Sequence, residues 1–180
     1  AGGVVGIESL SLARRYRGFS FAATSDLAGA FELAAGWALC LAGVLALRNR
    51  GRRGFGVILA SSGLAWFVGG WDNPGAWSAL AFTAGLVFST VCPVVVAHAV
   101  LRYPDRRLDV VESIALGLGY LATLVVGGLI PALSIDPARG GCFDCRANLL
   151  LVRDAPVLFG RASRAAVYLG VVWAFLLVIV

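Results

Sequence analysis

The chain has 180 residues, a hydrophobic fraction of 59% and a mean hydropathy of +0.87, well above the ~45–50% apolar usage of soluble domains. Its net charge of +5 rests on arginine, with no lysine and no methionine. In a soluble domain that balance would point to nucleic acid; in a chain this apolar it points to short basic loops beside membrane spans, and no nucleic-acid partner is expected.

The first 25 residues mix Leu, Tyr and Phe with Arg14, Arg15 and Arg17, the pattern of a segment lying along a membrane surface. Asp26–Leu47 is the first of five long apolar runs, with Gly54–Gly70, Ser78–Leu101, Ser113–Ile135 and Arg164–Val180. A helix needs ~20 apolar residues to cross ~30 Å of hydrocarbon, and a soluble core helix would carry a polar stripe. Leu27–Leu47 carries one charge, Glu32. The expected fold is an all-α, polytopic transmembrane helix bundle: residues 1–25 as an outer interfacial segment and 26–180 as five spans, with an outer loop over 136–163. The lipid bilayer is its first partner.

Charge sets the expected orientation. Arg48-Asn-Arg-Gly-Arg-Arg53 holds four arginines, Arg102–Glu112 holds three more, and Trp71–Trp77 between them holds none. Short basic loops stay in the cytoplasm. Residue 1 is then outside a cell inner (plasma) membrane and Val180 points inward. Arg139, Arg146, Arg153 and Arg161 on the outer side pull the other way, and the density of the short loops is weighted above the raw count. The chain starts without Met and ends on Phe175-Leu-Leu-Val-Ile-Val180, so it reads as part of a longer polypeptide.

Small residues recur every fourth position: Ala30, Ala34, Ala38, Ala42 and Ala46 in the first run, and Ala115, Gly119, Thr123 and Gly127 in the fourth. Such rows let helix backbones approach where lipid supplies no hydrophobic drive, and they are the expected helix-packing faces and a route to a homodimer. Cys40 and Cys92 sit among apolar residues and are expected to behave as small hydrophobes.

Few residues offer chemistry. Glu32 is an ionisable group inside a span, a functional candidate by default, with pairing to headgroup water or an outer arginine as the plainer role. Pro93 removes a helix hydrogen bond and is expected to kink the third span. His98, the single histidine, follows it toward the inner interface; it is read as hydrogen-bonded or as part of a movable kink, with a haem or pigment contact as the weaker option. Together Glu32, Pro93 and His98 are the candidates for signal relay. Cys142-Phe-Asp-Cys145 opens the outer loop. A local disulfide in an oxidising space, a redox or metal-binding pair, and free thiols or pairing across a dimer all stay open. No catalytic set is legible, so neither an enzyme nor a cofactor is expected.

Four stretches in order carry a resemblance. They are Phe31-Glu-Leu-Ala-Ala-Gly-Trp-Ala-Leu39; Gly63-Leu-Ala-Trp-Phe67 with Trp71-Asp-Asn-Pro74; Cys92-Pro-Val-Val-Val-Ala-His-Ala-Val-Leu-Arg-Tyr-Pro-Asp-Arg-Arg-Leu108; and Gly141-Cys-Phe-Asp-Cys-Arg-Ala-Asn-Leu-Leu-Leu-Val152. Over roughly Phe19–Val180 the chain resembles the multi-span N-terminal region of bacterial two-component sensor histidine kinases. The resemblance implies a membrane signal-input region that relays to a cytoplasmic kinase core and response regulator. The other class compatible with the sequence is a non-catalytic accessory subunit of a larger membrane complex, touching a pigment or haem through His98.

Overall fold

The computed structural model describes residues 7, 11, 25–73, 75–103, 106–139 and 144–179. Among them every regular element is helical. Helix α1, Asp26–Leu47, starts at Ser25, whose Oγ accepts a hydrogen bond from the Ala28 N–H at 3.0 Å. A short 3-10 turn at Arg50–Arg52 reverses the chain into α2, Arg53–Val68, which runs on as a 3-10 turn over Gly69–Trp71.

The α1–α2 hairpin is joined through glycine. A Cβ on Gly63 would lie 2.4 Å from Cys40 Sγ and 2.7 Å from the Cys40 nitrogen; one on Gly43 would lie 2.4 Å from the Ala60 nitrogen. Gly36 faces the Phe67 ring in the same way. The alanine row does not make this contact: Ala30, Ala34, Ala38 and Ala42 are exposed, whereas Gly29, Gly36 and Gly43 are buried. Spacing explains the difference. At 3.6 residues per turn, five residues spaced by four wrap about 160° around the helix, whereas three spaced by seven drift only about 40°. The glycines stay on one face, and the alanine row, which starts about 100° round the helix from Gly29, stays off it.

The third run is not one helix. Helix α3, Ala79–Phe88, is capped by Ser78 Oγ, which accepts from the Ala81 N–H at 3.1 Å. It ends at Ser89–Val91, and α4, Cys92–Leu101, departs at 54°. Pro93 therefore stands in the first turn of a new helix. There its missing N–H and fixed φ cost little, and the bend falls just before it.

The fourth run is a 25-residue rod, Val110–Ser134. Helix α5, Val110–Tyr120, opens with a capping box: Asp109 Oδ1 accepts from the Glu112 N–H at 2.7 Å and Glu112 Oε2 from the Asp109 N–H at 2.9 Å, with Arg106 paired to Glu112. A π-helix over Leu121–Leu129 and the short α6, Ile130–Ser134, complete the rod. Pro131 has no N–H to give the Gly127 carbonyl in an α ladder, and the wider π turn precedes it.

The last helix, α7, spans Pro156–Ile179. It starts eight residues before the expected Arg164, because Pro156 is well placed at a helix start and the polar Arg161, Ser163 and Arg164 are carried on its first turns. The loop before it is correspondingly shorter than 136–163.

The rod is central: 39% of its most apolar stretch is buried, against 11% for α1 and α7. Helix α2 packs on α4, α4 on α5, α3 on the π-helix and α6, and α7 along α5, the π-helix and α6. Val91, Val94, Leu116 and Trp173 form the core cluster, and the Trp173 indole donates to the Ala115 carbonyl at 2.7 Å. Among the described residues four helices are long and apolar enough to cross a membrane, and five if the bent α3–α4 pair is one span. One end of the bundle carries the arginine loops (the basic end). The other carries the Trp71–Ser78 turn and the 135–155 segment (the loop end). The Gly6–Phe21 segment, Ile7 and Ser11 aside, lies outside the described residues.

Candidate functional site

At the loop end, Trp71, Asp72 and Asn73 with Gly75, Ala76 and Trp77 form a built turn. Asn73 is buried, its Oδ1 accepting from the Gly75 N–H and its carbonyl from the Ala76 N–H. Trp71 and Trp77 meet edge to face at 4.8 Å. The turn is pressed onto α3 at Gly85, where a Cβ would lie 2.2 Å from the Asp72 nitrogen. Glycine is required there because backbone meets backbone.

The segment before α7 ties down the same end. Arg146 Nε donates to the Ala76 carbonyl at 3.1 Å, and the Leu149 N–H to Thr83 Oγ1 at 3.0 Å. Asn148 Nδ2 donates to the Ile135 carbonyl, and the Val152 and Ala155 N–H groups to the Leu133 and Ser134 carbonyls. Arg139 pairs with Asp136 and Asp154 at 3.5 and 3.6 Å.

Below this cap lies a cavity of about 290 Å³ lined by Asp72, Ser89, Thr90, Gly127, Phe159 and Ser163, with further apolar wall from α3, α6 and α7. It sits where every irregular element meets: the Asp72 turn, the α3–α4 break, the π-helix and the start of α7. Burial pushes the Asp72 carboxyl up to about 6, opposed by a smaller backbone hydrogen bond. Loss of hydration disfavours the charged form. The three hydroxyls spend their protons on carbonyls: Ser89 Oγ on Leu86, Thr90 Oγ1 on Thr123 across the break, and Ser163 Oγ on Phe159. Their lone pairs remain to accept.

The residues singled out in the sequence lie elsewhere and do not converge. The Glu32 carbonyl accepts from the Trp66 indole at 3.0 Å, toward the loop end. Pro93 is exposed at the start of α4. His98 Nδ1 shares a 3.0 Å hydrogen bond with the Tyr120 hydroxyl, near the basic end. Gly119 faces the Trp173 ring and Gly127 faces Thr90 and Ala166 of α7, while Thr123 Oγ1 donates to the Gly119 carbonyl. Ala38, Ala42 and Pro93 line a second, more open groove of about 830 Å³ between α1, α4 and α7. Cys40 and Cys92 are free thiols that donate to the Ala60 and Ser62 carbonyls of α2. Cys142 lies outside the described residues, and Cys145 is not a free thiol.

Asp72 went unremarked in the sequence because it stands in an ordinary turn signal. Its burial depends on Gly85, thirteen positions away, and its cavity on four separate elements. Matching protein-family models, curated proteins and solved structures against this chain returns nothing similar to it.

Proposed function

We propose that this chain is a membrane-embedded signal-input module that reads a condition at its loop end and passes it to its basic end. The observation that carries the reading is the position of the Asp72 cavity. It is walled by the α3–α4 break, the π-helix and the first turns of α7, and the helices continuing from all three reach the basic end. A π-helix inside a span is a frequent mark of a functional site. A broken span is a place where two packings lie close in energy. A stimulus shifts such a pair only by interacting differently with each packing, and the half-buried Asp72 carboxyl supplies that difference.

In this reading the Arg48–Arg53 and Arg102–Arg107 loops face the cytoplasm of a bacterial plasma membrane. The basic end adjoins a kinase core that phosphorylates a response regulator, and the spans pair as a homodimer. A Cys142–Cys145 bond holds the loop above the cavity in one shape. Catalysis lies outside the spans.

The test is made on the full-length polypeptide in nanodiscs. Asp72→Asn should change its autophosphorylation rate by at least about fivefold, the lower range of allosteric coupling, with the thermal transition of the membrane part retained. A polypeptide with no phosphotransfer activity, or equal rates in the folded variant and the parent, overturns the reading.

A further inference from the structure

The polar lining of the Asp72 cavity is one-sided. Its single ionisable group is a carboxyl, and its hydroxyls at Ser89, Thr90 and Ser163 have their protons committed to backbone carbonyls. No side chain lining it is a nitrogen donor, and the chain has no lysine to supply one. The charged groups on the neighbouring elements are Arg161 and Arg164 of α7, Arg146, whose Nε donates to the Ala76 carbonyl of the Asp72 turn, Asp144 and Arg153, all exposed and none lining the cavity, and the Asp136–Arg139–Asp154 cluster, whose members pair with one another. Arg164 Nε donates to the Gly160 carbonyl of its own helix. A cavity that offers acceptors and a negative charge selects a donor-bearing cation. The rest of the wall is apolar, with Leu86, Phe159 and Val167. That excludes a bare metal ion as the best fit, because a hard cation needs about six oxygens around it, and it accommodates a short hydrocarbon body. An aromatic ring beside a carboxylate is also the usual company of an organic ammonium. The volume, about 290 Å³, is at the small end of ligand sites, ~300–1,000 Å³.

We infer that the Asp72 cavity is a binding site for a small alkylammonium, its N–H groups donating to the Asp72 carboxylate and to the Ser89, Thr90 and Ser163 oxygens while its carbon chain lies against Phe159 and Val167. The ammonium is supplied either by a free amine or by the ethanolamine headgroup of a lipid at the loop end. This deepens the signal-input reading by naming the class of stimulus, and it rests on that reading only for its consequence at the basic end.

The test uses the purified chain in phosphatidylglycerol nanodiscs, which bring no amine. Propylammonium chloride is titrated at pH 7.5 and binding is read by thermal unfolding and by the indole fluorescence of Trp71 and Trp77. Saturable stabilisation in the range of about 1–10 mM is expected for so small a ligand. 1-Butanol and sodium chloride should not reproduce it. Asp72→Asn should weaken binding at least tenfold; Ser163→Leu, which fills the cavity and leaves the carboxyl in place, should do the same. Lowering the pH through 6 should weaken it in the parent and not in Asp72→Asn. A second arm replaces half the lipid with phosphatidylethanolamine: if the headgroup is the source, that arm alone stabilises the parent and Asp72→Asn abolishes the gain. No response in either arm, an equal response to butanol or to sodium chloride, or full binding by folded Asp72→Asn overturns the inference. Binding without any change at the basic end leaves the site standing and defeats the signal-input reading. Asp72-dependent signalling without amine binding does the reverse.

Discussion

The α1–α2 hairpin and the α3–α7 region solve one packing problem in opposite ways. In the hairpin two continuous helices close on glycines seven apart, backbone against backbone, with a cysteine thiol and an indole spanning the gap. In α3–α7 the helices are interrupted at Ser89–Val91 and widened over Leu121–Leu129, and the largely apolar space beside these irregularities carries Asp72 and three hydroxyls. Regular packing leaves nothing for a signal to move. In the proposed reading the irregular region is where a second packing would form.

The largest expected effect breaks the hairpin. Gly63→Leu forces a side chain into the Cys40 backbone and should cost more than about 3 kcal/mol, the upper range of overpacking penalties. It is read as loss of a cooperative thermal transition in detergent. Ala34→Leu, on the exposed row, should stay within about 0.5 kcal/mol. Equal effects of the two would mean that the glycines are not the seam.

In the other region Gly119→Leu meets the ring of Trp173 rather than backbone. A ring can rotate aside, so the cost should be smaller, about 1–3 kcal/mol, with the Trp173 fluorescence shifted as its bond to the Ala115 carbonyl is strained. An unshifted spectrum would place α7 elsewhere.

Asp72 gives the comparison a pH signature. Its carboxyl is raised to about 6, so between its unfolded value and 6 the folded chain holds the proton that the unfolded chain has lost. Stability should therefore fall as pH rises from about 4 to 6, by on the order of 2 kcal/mol, and be flat above. Asp72→Asn should remove that slope and be the more stable form at neutral pH. A parent whose stability rises over this window contradicts the burial of Asp72. Apart from the Ala34→Leu control, the smallest effect belongs to Tyr120→Phe, which deletes the partner of His98. It should cost about 1 kcal/mol, one hydrogen bond, and shift the His98 ring resonances in NMR.

The helices long and apolar enough to cross a membrane were legible because hydrocarbon thickness sets a length that an apolar run either has or lacks. Their ends were legible to within three residues, except at the start of α7; their interruptions were not. Ser89, Thr90 and Val91 are ordinary residues inside an apolar run, and the π-helix has the same composition as the α turns around it; hydrogen-bond register leaves no trace in hydropathy. Pro93 drew attention to the right place: it has no N–H to give the Ser89 carbonyl, and the 54° break falls at Ser89–Val91, in the turn before it. The glycine seam was visible as Gly29, Gly36 and Gly43 opposite Gly56 and Gly63, but a row at every fourth residue looks more regular on paper than it is on a cylinder. The site itself was hidden, because a turn aspartate is drawn into a cavity only when four elements meet around it.

The central claim, that the state of Asp72 is felt at the basic end, is tested most directly by the distance between spin labels at Asn49 and Leu108, measured in nanodiscs for the parent at pH 5 and pH 7.5 and for Asp72→Asn at both. A distance distribution that moves between the two pH values in the parent and stays fixed, in the pH 5 position, in Asp72→Asn is the result the account predicts. A distribution that is the same in all four samples, or that moves with pH in the variant as much as in the parent, contradicts it.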